Sequence, residues 1–264
     1  MNEPSSSVDD WLAAATASHQ RLATIVGSLS PDEIAGPSYA TEWSVAQVLS
    51  HLGSGAQIFT LFLQAGLKGE PAPAPTEFQP IWERWNAKSP ADQAADALVA
   101  DREFLDQLES IDPGERQIWH LEMFGGDQGL SDLLRLRVGE HALHTWDVEV
   151  TQEPAATLPA DATALLIDGM DQLVARVGRP TEEPLRVMIS TEGPPRQFLL
   201  HADTEGTELS AIQASNSSEG NGELSLPAEA LIRLIYGRLD SQHTPALESD
   251  QIDLDDLRRM FPGF

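Results

Sequence analysis

At 264 residues the chain exceeds the commonest single-domain size of roughly 100–150 residues, which favours two domains over one. A composition of 41% hydrophobic and 22% charged residues fits a folded protein with a sizeable core, while 42 Asp plus Glu against 16 Lys plus Arg give a formal charge of -26. That field repels phosphate backbones and anionic headgroups, so nucleic acid and membrane surfaces are not expected partners. With no cysteine, disulfides, thiolate ligands and a cysteine nucleophile are excluded. The first ten residues carry neither a basic residue nor a signal-like apolar run, and no segment approaches the approximately 20 apolar residues of a membrane span. The expected compartment is the cytoplasm.

Apolar residues from Trp11 to Val26 recur at helical spacing and predict a first helix from Val8 to about Val26. Ser30-Pro31-Asp32-Glu33 has the cap, first-position proline and trailing glutamate of another start, enough for one short turn. Ser44 and Gln47 have capping-box spacing, which places a helix at about 45–66 with Val48, Leu49, Leu52, Phe59 and Leu63 on a wide apolar face. His51 lies nearly two turns inside, on that face. Gly53 and Gly55 each cost about 1 kcal/mol relative to alanine, which predicts that bulk is being kept from a bound group. A proline-rich crossover at 69–75 and a short helical stretch with Trp82 and Trp85 follow. Ser89-Pro90 opens a helix at about 90–110, the glycine-rich run 125–129 ends a loop, and a fourth long helix runs from about Ser131 to Val150. Four long helices joined by crossovers predict a four-helix bundle with ligand sites built from inward side chains.

The run 152–159 is the expected boundary, giving domains 1–155 and 156–264. Beyond it come a helix at about 160–177, strand-like runs at 185–189, 197–200 and 209–213, and turn chemistry at 216–222. A helix from Pro227 to Leu239 and a short one from Leu254 to Met260 complete a small α+β domain.

Glu140 and His144, four apart, project from one helical face one turn from each other. If His51 faces them from another helix, two imidazoles and one carboxylate converge, and three ligands leave a coordination position open, as in catalytic sites. An E-x-x-x-H pair by itself is usually a surface pair, but Arg137, Glu140, His144 and Asp147 form a continuous polar stripe beside a core seam, and such a stripe needs a partner. Asp147 is placed to accept the second ring N–H of His144 and fix its tautomer; the competing reading is a solvated helix-end carboxylate. His141 points roughly 100° away from Glu140 around the helix and is not taken as a ligand. His19, His120, His201 and His243 have no ligand-like spacing and read as ordinary.

Trp43-Ser44-Val45-Ala46-Gln47-Val48-Leu49-Ser50-His51-Leu52 and Arg137-Val138-Gly139-Glu140-His141-Ala142-Leu143-His144-Thr145-Trp146-Asp147 resemble the two signature segments of the mycothiol-dependent maleylpyruvate isomerase family, one of the DinB-like metal-binding bundles. The resemblance implies an N-terminal four-helix metal domain and an α+β C-terminal domain related to sterol carrier folds. It maps the metal ligands onto His51, Glu140 and His144. Leu234-Ile235-Tyr236-Gly237-Arg238 is similar to a family stretch whose terminal arginine is implicated in activity, so Arg238 is a candidate catalytic residue; a favourable partner for a helix end is its bland reading. Arg84 is a weaker candidate for the same cleft, in cofactor binding.

The function this implies is a zinc enzyme that takes mycothiol at the open metal position, in isomerisation or S-transfer on a small electrophilic or unsaturated acid. Metal binding would ionise the thiol near neutral pH, supplying the nucleophile a cysteine-free chain lacks, and Arg238 would hold a substrate carboxylate. The rivals are a metal-dependent hydrolase, a non-haem iron enzyme with the same ligand set, and a non-catalytic thiol or small-ligand binding protein. Expected partners are a small-molecule thiol and a small-molecule substrate, with the chain a monomer or homodimer.

Overall fold

Four serines start helices by the same device. The hydroxyls of Ser7, Ser30, Ser44 and Ser89 accept from the backbone N–H three residues on, and for the first three the side chain at that position also accepts from the cap backbone. Each such box satisfies two backbone donors that a helix start would leave unpaired. The computed structural model describes residues 6–40, 42–123, 125–212 and 220–263. The chain divides into two units, Met1–Ala156 and Thr157–Phe264.

The first unit comprises α1 (Val8–Ser28), α2 (Pro31–Ala35), α3 (Val45–Lys68), α4 (Gln79–Asn86), α5 (Pro90–Ser110), α6 (Pro113–Ile118), β1 (His120–Met123), β2 (Gly126–Gly129) and α7 (Leu130–Glu149). The four long helices make a bundle: α3 packs mainly on α5 and α1 on α7, and α1–α5 and α3–α7 contacts close the ring. Leu22, Leu49, Leu63, Phe104, Leu105 and Trp146 are among the side chains buried inside it. α3 stops at Gly69, whose φ of 65° lets its N–H close on the carbonyls of Ala65 and Gly66.

Two expectations are corrected here. The glycine-rich run at 125–129 is not all loop: β2 pairs antiparallel with β1 from His120↔Gly129 to Met123↔Gly126. Backbone pairing holds this hairpin, and a Gly-Asp-Gln-Gly strand has no apolar alternation to announce it. Nor do Gly53 and Gly55 clear space for a bound group. A Cβ on Gly53 would fall 2.2 Å from the Trp85 ring, and one on Gly55 would meet Arg137 Nη1 at 3.2 Å. The bulk these glycines admit is the chain's own.

The second unit contains α8 (Ala160–Leu166), α9 (Met170–Val177), β3 (Leu185–Glu192), β4 (Arg196–Ala202), β5 (Thr207–Ala211), β6 (Gly222–Pro227), α10 (Ala228–Ile235), β7 (Glu248–Asp250) and α11 (Leu254–Met260). The sheet order is β5-β4-β3-β6-β7, antiparallel except for the parallel β3–β6 pair. Val187, Ile189, Phe198, Leu200, Leu224 and Leu226 alternate onto its buried face. The helix expected across 160–177 is interrupted by a 3-10 turn at Ile167–Gly169. The turn expected at 216–222 falls mostly outside the described residues, as does position 213 of the third expected strand. Among the described residues no helix is long and apolar enough to cross a membrane.

Candidate metal centre

The cap at Ser44 sets the start of α3, and His51 follows two turns later. The polar face of α7 brings Glu140 and His144 opposite it. Ligand atoms of all three lie within 4.8 Å of one another. His51 Nε2 is 3.0 Å and His144 Nε2 3.6 Å from the same oxygen, Glu140 Oε2. The two imidazoles meet edge to face with centroids 4.7 Å apart.

These donors fit a divalent ion. Tetrahedral zinc binds nitrogen and oxygen at about 2.0–2.2 Å, which puts neighbouring donors about 3.4 Å apart, and the two distances here bracket that value. Burial alone would raise the Glu140 pKa; the hydrogen bonds of His144 and His51, with their charge, outweigh it and hold the carboxyl below its ordinary range. It is thus ionised at neutral pH, as a ligand must be. The side chains of His51 and Glu140 are 35% and 44% exposed, so small molecules reach the cluster from solvent.

Behind His144 stands Asp147, with Oδ2 2.8 Å from His144 Nδ1 and no exposed surface. It is not the solvated helix-end carboxylate that was the competing reading. Beside the histidines stands Trp43, to which the sequence pattern assigns no role. Its ring centroid is 5.2 Å from that of His51 and 6.0 Å from that of His144, and it is 38% exposed. Ser38 and Ala40 hold its backbone, through Ser38 N–H to the Trp43 carbonyl and Trp43 N–H to the Ala40 carbonyl. The available signal was its position just before a cap, from which a side chain packs on the helix's first turns.

A second polar cluster inside the bundle went unread. Arg137 Nη2 donates to Asp101 Oδ1 at 2.6 Å and to the Leu52 carbonyl at 3.2 Å. His19 Nδ1 is 2.7 Å and His141 Nε2 3.1 Å from Asp101 Oδ2, and Ser18 Oγ is 2.7 Å from His141 Nδ1. His19, which reads as ordinary from its spacing, and His141, which points away from Glu140, therefore belong to a buried network. All four residues of the polar stripe on α7 find partners within the protein: Arg137 in Asp101, Glu140 in His51, and His144 and Asp147 in each other. Burial would raise the Asp101 pKa, but His141 and Arg137 beside it outweigh that and hold the carboxyl well below the usual range. Burial pushes His141 the other way from protonation, lowering its pKa against the pull of Asp101.

Each candidate arginine donates to a backbone carbonyl of its own segment. Arg84 is exposed on α4 and donates to the Pro80 carbonyl of its own helix at 3.0 Å. Arg238 follows Gly237, whose φ is 72°, in the turn after α10. It is half-buried there and its Nη1 donates to the Tyr236 carbonyl at 3.0 Å.

Fold and cluster define a helical bundle carrying a two-histidine, one-carboxylate group, followed by a unit built on a five-stranded sheet. Residues 15–149, just over half of the chain, match the family described as mycothiol maleylpyruvate isomerase N-terminal domain, and the chain belongs to that family. Two solved structures share the fold: the mycothiol-dependent maleylpyruvate isomerase and a histidine-to-alanine mutant of it. Each has a TM-score of 0.68 at 12% identity, covering 93% of this chain and 93% of its own. No curated protein matches the sequence.

Proposed function

We propose that this protein is a zinc-dependent enzyme that uses a low-molecular-weight thiol, mycothiol, for isomerisation or S-transfer on a small electrophilic or unsaturated acid. The observation that carries the proposal is the convergence of His51, Glu140 and His144 on one point, with three donors and a face open to solvent. Membership of the mycothiol maleylpyruvate isomerase N-terminal domain family supports the thiol, and so does the absence of any cysteine. An ion bound at this point would supply Lewis acidity that favours the ionised, nucleophilic form of a thiol near neutral pH.

The chain's own residues supply the rest. His51, Glu140 and His144 would hold the ion, and Asp147 would keep a proton on His144 Nδ1 so that Nε2 presents its lone pair. Trp43 forms an aromatic wall against which the apolar part of a ligand stacks. Arg238 is the candidate for the substrate carboxylate, which a guanidinium binds through paired hydrogen bonds. Arg84 is a candidate thiol contact.

The test is a turnover assay of zinc-loaded protein with unsaturated acids and electrophiles, with and without mycothiol. Thiol-dependent conversion is the expected result. Binding of thiol without turnover of any substrate would make it a binding protein. Turnover of esters or amides without thiol would make it a hydrolase.

A further inference from the structure

Leu52, whose carbonyl accepts from Arg137, is the residue after His51, and Arg137 precedes Glu140 by one turn of α7. A single guanidinium nitrogen therefore bridges the backbone beside one proposed ligand and the helix that bears the other two. The same nitrogen reaches Asp101 of α5, and Asp101 is bonded to His19 of α1, so all four long helices meet at one buried node. Arg137 and Asp101 are 2% and 3% exposed, and the missing side chain of Gly55 leaves room for the guanidinium.

Stability is a weak explanation for this node. A buried ion pair recovers little more than its desolvation penalty, and well-packed apolar residues of similar volume usually do as well or better. What apolar residues cannot supply is a directional bond from α7 to the backbone of α3. We propose that Asp101 and Arg137 are positioning residues that set the separation of α3 from α7 and hence the reach of His51 to Glu140 and His144. The inference rests on the reading of those three side chains as ligands. Neither Asp101 nor Arg137 belongs to the group of candidate ligands.

The test replaces the pair by apolar residues of similar volume, Asp101→Leu with Arg137→Met, in the full chain, and measures zinc binding to the metal-free protein by calorimetry. The thermal midpoint is measured alongside, and Leu105→Ala on α5 serves as a destabilised control. The expected result is a folded double variant that melts no lower than Leu105→Ala yet binds zinc about 10–100-fold more weakly, the range typical of residues that orient ligands, while Leu105→Ala binds zinc as the wild type does. Wild-type zinc affinity in the folded double variant would overturn the proposal. Should the double variant not fold, Arg137→Lys decides: it keeps the charge but shortens the bridge, and unchanged zinc affinity would again overturn the assignment.

If the wild type takes up no zinc, the ligand reading fails and the positioning role is read from a crystal structure of the metal-free double variant. There the separation of His51 Nε2 from Glu140 Oε2, 3.0 Å in the native chain, should open beyond hydrogen-bond reach. An unchanged separation would overturn the role of the pair.

Discussion

Asp147 Oδ2 lies 2.8 Å from His144 Nδ1, which fixes which nitrogen of that ring faces Glu140. The carboxylate has no exposed surface, and its backbone carbonyl accepts from Tyr39 N–H, so it is held from both sides of the chain. An imidazole oriented in this way presents a preformed lone pair at Nε2. Replacing Asp147 by Ala should weaken zinc binding about 10–100-fold, measured by competition with a chromogenic chelator, with little loss of helical circular dichroism. Affinity within twofold of the wild type would show that the buried carboxylate does not act on the ring.

Trp43 contributes surface rather than support. At 38% exposure its ring can be removed at small structural cost, and it stands beside both imidazoles. An aromatic contact of this kind contributes about 0.5–1.5 kcal/mol, so Trp43→Ala should raise the KM for mycothiol about 2–10-fold and leave zinc stoichiometry unchanged. Loss of zinc together with thiol binding would instead make Trp43 part of the scaffold.

Acid should act on the Asp101 node. Its carboxyl is depressed in the folded state, so its contribution is complete above the unfolded value of about 3.9 and is lost as pH falls below that towards the folded value. Asp101→Asn removes this linkage and also strands Arg137, which should cost about 3–5 kcal/mol near neutrality. Urea midpoints between about pH 4 and pH 2 should therefore fall more steeply for the wild type than for the variant. Parallel slopes would contradict a low Asp101 pKa.

Gly53 tests the packing under His51. A methyl group there meets the Trp85 ring at 2.2 Å, and Trp85 is 2% exposed, so the indole has no easy escape. Gly53→Ala should destabilise the fold by about 1–3 kcal/mol in spite of alanine's better helix propensity. A thermal midpoint at or above that of the wild type would show that Trp85 yields.

What the sequence reveals of this chain is set by how local each signal is. The serine caps that start α2, α3 and α5 involve neighbours three residues apart, and the spacing of Glu140 and His144 is one helical turn, so both are legible without tertiary structure. The bundle followed by a sheet unit follows from the change of hydrophobic period near residue 156. The buried node is different in kind. α5 carries Asp92, Asp96, Asp101 and Asp106, and only the tertiary structure, which brings His19 of α1 and Arg137 and His141 of α7 to Asp101, decides that Asp101 is the one inside. The rotation that turns His141 away from Glu140 aims it into the bundle at Asp101. Gly53 and Gly55 show the same limit: a glycine announces a close approach but not what approaches.

The account stands most directly on zinc stoichiometry. Protein purified without chelator, and the variants His51→Ala, Glu140→Ala and His144→Ala, are compared by elemental analysis after gel filtration. The expected result is one ion per wild-type chain and loss of that ion from each variant, with the helical content of all four preserved. Full metal content in any two of the variants, or stoichiometric iron in place of zinc, would contradict it.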